Sequence, residues 1–163
     1  MITDPDWKGV GANSEGKVHI GTNTVIKPNV VINRPATHNT YIGDSCYIMP
    51  GCFIGHDAYI GDNVTMCPNA CAAGFCTVGE GTTLGMNSSV HQHSKLGRFC
   101  MVGANSFFKG ESPDGITWVG VPARPLKVNT VGINRSNIDD REKRLIMKNA
   151  ELFVNRFKVS SHV

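Results

Sequence analysis

The sequence of 163 residues lacks several features that mark common protein classes. No apolar run approaches the ~18 residues that a membrane-spanning helix needs, so we expect no membrane insertion. No block of like charges occurs among the 16 Lys and Arg and 13 Asp and Glu, which argues against a nucleic-acid partner. The N-terminus has no basic segment followed by an apolar stretch, so we expect a cytoplasmic protein with reduced thiols.

Paired cysteines and aromatic residues are also scarce. The six Cys include no Cys-x-x-Cys pair, since the shortest spacing is Cys67 to Cys71, and this disfavours a disulfide framework or a zinc site. Phe, Trp and Tyr supply only 12 residues, whereas Gly supplies 18, about 11% against the usual ~7%. The composition therefore predicts one globular domain with many tight bends.

A six-residue repeat dominates the sequence. Apolar residues recur at every sixth position from Ile42 to Phe108, and small residues lie four places after them. Glycine often follows the apolar residue, as in the Ile-Gly-Asp-Asn of residues 60–63, which is turn chemistry. This pattern predicts a solenoid in which short parallel strands meet at corners and both repeat positions point into a narrow core. Four of the cysteines then occupy ordinary repeat positions: Cys46, Cys52, Cys76 and Cys100.

The repeat is interrupted once and then closed. The step from Ile32 to Ile42 is ten residues rather than six, so about four extra residues project as a loop within 33–40. After Phe108 the pattern ends, and residues 111–125 form a closing turn. We therefore assign residues 1–125 to the solenoid.

Residues 126–163 form a C-terminal extension. Ser136 with Asp139 three places later resembles a capping box, and apolar residues at helical spacing predict an amphipathic helix over about 137–157. We expect this helix to pack against the coils or against a neighbouring subunit. Its apolar stripe consists of Leu145, Ile146, Ala150, Phe153, Val154 and Phe157.

His56 and Asp57 are the first candidates for chemistry. They follow Gly55 at a predicted corner, where two successive side chains can both lie outside the core. An imidazole can remove a proton from a hydroxyl or an amine near neutral pH, and an adjacent carboxylate can hold its tautomer. A His-Asp dipeptide alone is usually a solvated pair, so its function depends on the surrounding motif.

Residues 54–57 (Ile-Gly-His-Asp) and 60–63 (Ile-Gly-Asp-Asn) resemble the catalytic motif of the bacterial hexapeptide transferases. Two branches match: the UDP-N-acetylglucosamine acyltransferases of lipid A synthesis, and the sialic acid and bacillosamine acetyltransferases. The resemblance covers roughly residues 40–125; Val-His-Gln at 90–92 favours the lipid A branch, and Val-Gly-Val-Pro-Ala-Arg at 119–124 favours the acetyl branch. It implies a left-handed parallel β-helix with a C-terminal α-helix, assembled as a homotrimer with active sites between subunits.

The resemblance also implies a reaction and a set of site residues. His56 would be the general base and Asp57 its orienting partner, in the transfer of an acetyl or longer acyl group from a thioester to the amine or hydroxyl of a nucleotide-activated sugar. The N–H of Gly74 would stabilise the oxyanion, although Phe75 stands where the lipid A branch has His. Further candidates are Gly74, Met86, Ala104, Lys109 and Arg124 for the donor, and Arg34, His38 and His91 for the sugar.

Several alternatives remain open at this stage. Acetyl-CoA is the preferred donor, because residues 119–124 match the acetyl branch, and an acyl carrier protein is the alternative; no metal is expected. A γ-class carbonic anhydrase, in which three His from adjacent subunits bind a metal, lacks support because His91 and His93 are two residues apart rather than five. A non-catalytic solenoid scaffold is the remaining hypothesis.

Overall fold

The structure, a computed structural model, describes residues 1–4 and 15–160. Within these ranges the chain forms eighteen strands, most of them two residues long, followed by two helices. The strands are β1 Ile2–Thr3, β2 Val18–Ile20, β3 Val25–Ile26, β4 Val31–Asn33, β5 Thr40–Ile42, β6 Tyr47–Ile48, β7 Phe53–Ile54, β8 Tyr59–Ile60, β9 Thr65–Met66, β10 Cys71–Ala72, β11 Thr77–Val78, β12 Thr83–Leu84, β13 Ser89–Val90, β14 Lys95–Leu96, β15 Met101–Val102, β16 Phe107–Phe108, β17 Ile116–Gly120 and β18 Ala123–Val128. The helices are α1 Thr130–Arg135 and α2 Asp140–Ser160.

The strands form the three faces of a left-handed prism, which confirms the predicted fold. Sheet A contains β1, β4, β7, β10, β13 and β16; sheet B contains β2, β5, β8, β11 and β14; sheet C contains β3, β6, β9, β12, β15, β17 and β18. All neighbours are parallel except β17 and β18. Ile54 pairs with Ala72, 18 residues on, whereas Ile32 pairs with Ile54, 22 residues on, because the chain between β4 and β5 contains four extra residues.

The inward residue of each strand fills the core. Ile42, Ile54 and Ile60 are fully buried, and the small repeat residues at the corners from Cys46 to Ser106 are at most 3% exposed. Burial raises the pKa of the Cys76 thiol to about 12, so this cysteine serves as a small apolar residue. By contrast, Ile20 and Ile26 are 43% and 36% exposed, because β2 and β3 are the terminal strands of their sheets.

The corners have a common backbone conformation. We name them by the sheets that they join: corner AB contains residues 55–58, 73–76 and 91–94, corner BC contains 61–64, 79–82 and 97–100, and corner CA contains 67–70, 85–88 and 103–106. At each of these corners the third residue has a positive φ, for example Asn63 at 56°. Asn and Gly tolerate this left-handed conformation, which explains why they recur at the turns of the repeat.

The C-terminal segment closes the solenoid. Ile146, Ala150 and Val154 of α2 are buried, and α2 packs against β18, so the predicted helix lies on the coils. Leu145 was placed in the apolar stripe by its spacing, yet it is 56% exposed because it lies on the outer side of α2.

The capping of α2 differs from the predicted Ser136–Asp139 box. The Ser136 hydroxyl donates to the carbonyl of Ile133 and so ends α1, while Asp139 accepts from the N–H of Glu142 at 2.9 Å and begins α2. The short helix α1, which the apolar spacing did not reveal, ends just before Ser136, so Ser136 caps the end of α1 and not the start of α2. Arg98 links α2 to the coils, because its guanidinium lies 2.9 Å from Asp114, which precedes β17, and 2.9 Å from Glu142 of α2.

Candidate active site at corner AB

His56 and Asp57 lie together at corner AB, as their positions in the repeat predict. Asp57 has the positive φ of a third corner residue, 57°, and its side chain turns towards the imidazole. His56 Nδ1 lies 2.9 Å from Asp57 Oδ2. The side chain of Asp57 is 1% exposed and that of His56 is 14% exposed, so the pair is shielded while part of the ring remains accessible.

The carboxylate of Asp57 is surrounded by donors. Burial by itself raises the pKa of Asp57, but hydrogen bonds from the N–H groups of His38 and Ala36, from His56 and from the N–H of Thr37 outweigh it and lower the pKa to about 2. Asp57 is therefore ionised across the physiological range. A buried anion held by this many donors is a fixed electrostatic element of the site.

This arrangement selects one tautomer of His56. An ionised carboxylate only accepts hydrogen bonds, so His56 Nδ1 must carry the proton in the contact with Asp57. In the neutral imidazole Nε2 then has a free lone pair and can accept a proton. The geometry supports the general-base chemistry that was predicted for His56.

The imidazole lies over Gly74, one coil further along the solenoid. A Cβ atom at Gly74 would fall 2.8 Å from His56 Nε2, so only glycine leaves room for the ring. Among the hydrogen bonds of the described residues, the N–H of Gly74 has no acceptor, whereas those of Ala73 and Phe75 bind Val90 and His56. The Gly74 N–H is thus without a partner among the described residues, in a glycine that lies against the imidazole of His56.

Phe75 and His93 occupy, in the next two coils, the same corner position as Asp57. Phe75 meets His56 edge to face with ring centroids 5.0 Å apart, and His93 stacks on Phe75 at 4.9 Å. These contacts brace the imidazole from one side. The repeat places residues 57, 75 and 93 in one column, but their ring contacts required the structure.

The candidate sugar-binding residues lie at or near this corner in different environments. Arg34 forms an ion pair with Asp4 at 3.3 Å, so its guanidinium is already engaged by the N-terminal strand. His38 has an exposed side chain, and its N–H donates to Asp57 at 2.5 Å. His91 is half-buried two coils beyond Gly55, with Nδ1 3.0 Å from the carbonyl of Gln92.

The candidate donor-binding residues do not share one place. Lys109 is exposed and follows β16 as His91 follows β13, so it belongs to the edge of the prism that carries His56. Met86, 52% exposed, and the exposed Ala104 lie instead at corner CA. The guanidinium of Arg124 lies over the ring of Phe157 at 5.8 Å.

Sequence reasoning missed the hydroxyl residues that support the dyad. The Thr37 hydroxyl donates to Asp57 at 3.0 Å, and the Thr40 hydroxyl accepts from the N–H of Asp57 at 3.0 Å. Two threonines in an irregular loop carried no spacing signal that linked them to residue 57. The available clue was the extra length of the loop, which allows it to reach the next coil.

Other features of the described residues lie apart from the dyad. A cavity of about 490 Å³ between corner BC, sheet C and the α1 region is lined by Glu80, Phe99 and Arg135 among others, and contains neither His56 nor Asp57. Residues 1–4 and 15–160 contain no group of three or more His, Cys, Asp or Glu side chains that could hold a metal. None of the helices in that part of the chain is long and apolar enough to span a bilayer.

Comparison with known proteins agrees with the repeat and the fold. A family model described as bacterial transferase hexapeptide, with six repeats, matches residues 39–73. An acyl-[acyl-carrier-protein]–UDP-N-acetylglucosamine O-acyltransferase of Gloeothece citriformis is 30% identical over 143 residues, which are 86% of this chain and 51% of that protein. Residues 39–73 thus contain the hexapeptide repeat of the bacterial transferases. The chain spans about half the length of the curated relatives that it matches, 51% and 48%.

Solved structures of hexapeptide-repeat transferases superpose on this one. A UDP-N-acetylglucosamine acyltransferase from Campylobacter jejuni has a TM-score of 0.79 and 29% identity, over 89% of this chain and 57% of that chain. A mutant perosamine N-acetyltransferase from Caulobacter crescentus, in complex with CoA and GDP-perosamine, has a TM-score of 0.62 and 25% identity, over 71% of this chain and 55% of that chain. The neighbours therefore include the predicted UDP-N-acetylglucosamine acyltransferases and a sugar N-acetyltransferase, which is named for perosamine rather than for sialic acid or bacillosamine.

Proposed function

We propose that this hexapeptide-repeat protein transfers an acyl group from a thioester to the hydroxyl or amine of a nucleotide-activated sugar. The observation that carries the proposal is the 2.9 Å contact between His56 Nδ1 and Asp57 Oδ2. Because the ionised carboxylate accepts the proton of Nδ1 in a hydrogen bond, Nε2 of the neutral imidazole is left as a proton acceptor. Both groups of relatives named above are sugar acyltransferases or acetyltransferases. Fold and dyad together support this class of reaction.

The proposed reaction uses this chain's own groups at each step. His56 Nε2 removes the proton from the acceptor as its oxygen or nitrogen attacks the thioester carbonyl. The N–H of Gly74 donates to the oxygen that becomes negative, and the fixed charge of Asp57 stabilises the imidazolium. The tetrahedral intermediate then collapses, the carbon–sulfur bond breaks, and the departing thiolate takes the proton from His56.

We propose acetyl-CoA and an acyl carrier protein as the two candidate donors. The sequence at 119–124 and the CoA-bound neighbour favour acetyl-CoA. The 30% identical relative, whose name includes an acyl-[acyl-carrier-protein] donor, favours an acyl carrier protein. Phe75 beside His56 is the residue that departs from the lipid A branch, and it makes a direct comparison of both donors necessary.

A homotrimer with sites between subunits forms part of the proposal. His56 lies at corner AB, whereas Met86 and Ala104 lie at corner CA, a different edge of the prism. Residues on two edges of one solenoid cannot face one ligand unless a second copy brings its corner CA to the first copy's corner AB. A site that uses all of these residues therefore needs at least two copies of the chain.

Thioester turnover tests the proposal. Thiol release from acetyl-CoA and from acyl carrier proteins is measured with a panel of UDP-, dTDP- and GDP-sugars, for the wild type, His56→Ala and the control His19→Ala, an exposed His on sheet B. Release that requires one sugar and falls about 100-fold or more in His56→Ala alone is the expected result. Release that His56→Ala leaves unchanged would show that another group is the base.

Mixed assemblies test the shared site. Met86→Trp should block the donor position at corner CA, while His56→Ala removes the base at corner AB. If the site is shared, mixing the two inactive variants with subunit exchange restores part of the activity, because some interfaces then combine an intact Met86 with an intact His56. No recovery, with exchange verified by mass spectrometry, would place both residues in one subunit's site.

A further inference from the structure

The projecting loop, residues 33–40, is folded around the carboxylate of Asp57. Three consecutive N–H groups, those of Ala36, Thr37 and His38, donate to it at 2.8, 3.0 and 2.5 Å. The Thr37 hydroxyl adds a fourth donor at 3.0 Å. Consecutive N–H groups that converge on one anion form a backbone nest. Among the described residues, four of the five hydrogen bonds to this carboxylate thus come from the loop, and one comes from His56.

The carboxylate of Asp57 binds both the loop and the imidazole, and it does so through one shared oxygen atom. The N–H of Ala36 and Nδ1 of His56 both donate to Oδ2 of Asp57, at 2.8 and 2.9 Å. A displacement of the loop therefore moves the same oxygen that fixes the imidazole tautomer. The loop and the ring cannot be reorganised independently while this carboxylate is bound to both.

Thr40 closes the loop at its base. Its side chain is fully buried, and its hydroxyl donates to the carbonyl of Asn33 and accepts from the N–H of Asp57, each at 3.0 Å. Asn33, 2% exposed, in turn donates to the Thr3 hydroxyl at 2.9 Å. One hydroxyl thus links both ends of the loop to the backbone that carries the catalytic pair.

We propose that the loop 33–40 and the His56–Asp57 pair form one structural unit, that Thr40 is the positioning residue of this unit, and that the loop backbone is a wall of the acceptor site. The catalytic consequence rests on the proposed function, whereas the structural unit does not. A single atom, Oδ2 of Asp57, connects the loop to the imidazole, because it accepts hydrogen bonds from both Ala36 and His56. In this proposal the acceptor that meets His56 Nε2 extends across the ring to the loop.

Amide exchange of Thr40→Val tests the unit, with Thr82→Val as a matched control. Thr82 is also fully buried, donates to the carbonyl of Gly97 at 2.9 Å and accepts from the N–H of Cys100 at 3.0 Å, but it lies at corner BC. We expect the amides of residues 36–38 to exchange about 10-fold faster in Thr40→Val, and within about twofold of wild type in Thr82→Val. Equal exchange in the two variants would overturn the role of Thr40.

The tautomer of His56 gives a second readout that a merely structural role of Thr40 would not change. In protein labelled with ¹⁵N-histidine, the wild type should show His56 protonated at Nδ1, with the signal assigned by its loss in His56→Ala. Thr40→Val should add a population protonated at Nε2, and Thr40→Ser should restore the wild-type spectrum. An unchanged tautomer beside a loosened loop would disprove the coupling.

Amide exchange in Thr37→Val and the Michaelis constants of Thr40→Val provide two further tests. If Thr40→Val does not fold, Thr37→Val removes the hydroxyl donor to Asp57 Oδ1 and should accelerate loop exchange by a smaller factor. No acceleration would contradict the structural unit of loop and dyad. Where acyl transfer is observed, Thr40→Val should raise the acceptor KM about 10-fold and leave the donor KM within twofold. The reverse split would remove the loop from the acceptor site. If wild-type turnover is absent, the proposed function fails, while exchange and tautomer still decide the inference.

Discussion

At corner CA the residues in the third place of each turn serve the solenoid alone. Asn69, Asn87 and Asn105 occupy the third place of successive coils with φ angles of 59°, 55° and 56°. Their side-chain amides form a ladder, with Nδ2 to Oδ1 distances of 3.3 and 3.2 Å. Asparagine suits the left-handed conformation, and each side chain supports the next.

Corner AB has the same backbone with different side chains. Asp57, Phe75 and His93 hold the corresponding places with φ angles of 57°, 57° and 60°. A bulky residue such as Phe is disfavoured there by about 1 kcal/mol or more, and no side-chain ladder compensates. The contacts made instead are those of a site: a carboxylate bound to an imidazole, and rings that brace it. The same repeating backbone therefore carries the candidate site at the corner where other residues replace the usual asparagine.

Gly74→Ala should disrupt corner AB most strongly. The added Cβ would lie 2.8 Å from His56 Nε2 and must displace the ring, so we expect a fall in kcat/KM of about 100-fold. Gly61→Ala is the control at corner BC, since its Cβ would lie 2.8 Å from the backbone N of Glu80 without touching the dyad. Comparable losses of activity in both variants would mean that general distortion, not the position of His56, is responsible.

Asp57→Asn should change how stability depends on pH. The native pKa of about 2 lies below the ordinary value of 3.8, so ionised Asp57 stabilises the fold above about pH 4, and this contribution is lost as the pH falls through 2. The full difference corresponds to about 2 kcal/mol in the free energy of unfolding. Urea unfolding from pH 6 to pH 2 should show this loss in the wild type and not in Asp57→Asn.

Asp62→Asn provides the comparison for that experiment. Asp62 is an exposed carboxylate at corner BC that accepts from the N–H of Asp44 at 2.9 Å. Its removal should leave most of the acid-dependent loss in place. A wild-type profile that is flat between pH 4 and 2 would show that the loop donors around Asp57 are not formed in solution.

The sequence predicted the features that repeat. The period of six fixes which residues enter the core, and it placed the buried cysteines and the corner position of His56 and Asp57 correctly. Handedness came from family resemblance, because the period alone does not distinguish the two hands. The repeat also did not predict that Ile20, in the first coil, is exposed, because a period does not indicate which strand lies at the end of a sheet.

The features that could not be predicted depend on contacts across coils. The hydrogen bonds from Ala36 and Thr37 to Asp57 join residues about 20 positions apart through an irregular loop, where no periodicity applies. The pairing of Arg34 with Asp4 likewise required β1 to be placed beside β4. The family resemblance makes Arg34 a candidate for the sugar, and only the structure shows its ion pair with Asp4.

Phe75→Asn should make corner AB more like corner CA. The substitution relieves the left-handed backbone at residue 75 but removes the edge contact with His56 and the stack with His93. Such ring contacts contribute about 0.5 to 1.5 kcal/mol, so we expect kcat/KM to fall about threefold to tenfold while stability changes little. Phe75→Leu, which keeps an apolar side chain without a ring, should lose activity similarly. An increase in kcat/KM for Phe75→Asn would show that Phe75 hinders rather than braces the imidazole.

Asn69→Ala and Asn69→Gly separate the two reasons for asparagine at corner CA, with the smallest expected effects. Alanine loses the ladder bond to Asn87 and also strains the backbone at φ 59°, whereas glycine loses only the ladder bond and accepts the conformation. We expect Asn69→Ala to lower the free energy of unfolding by about 1 kcal/mol and Asn69→Gly by less. Urea unfolding measures the difference, and thioester turnover should match the wild type in both variants. If glycine is as destabilising as alanine, the ladder and not the backbone conformation selects asparagine, and the contrast between the two corners is then one of side-chain partners alone.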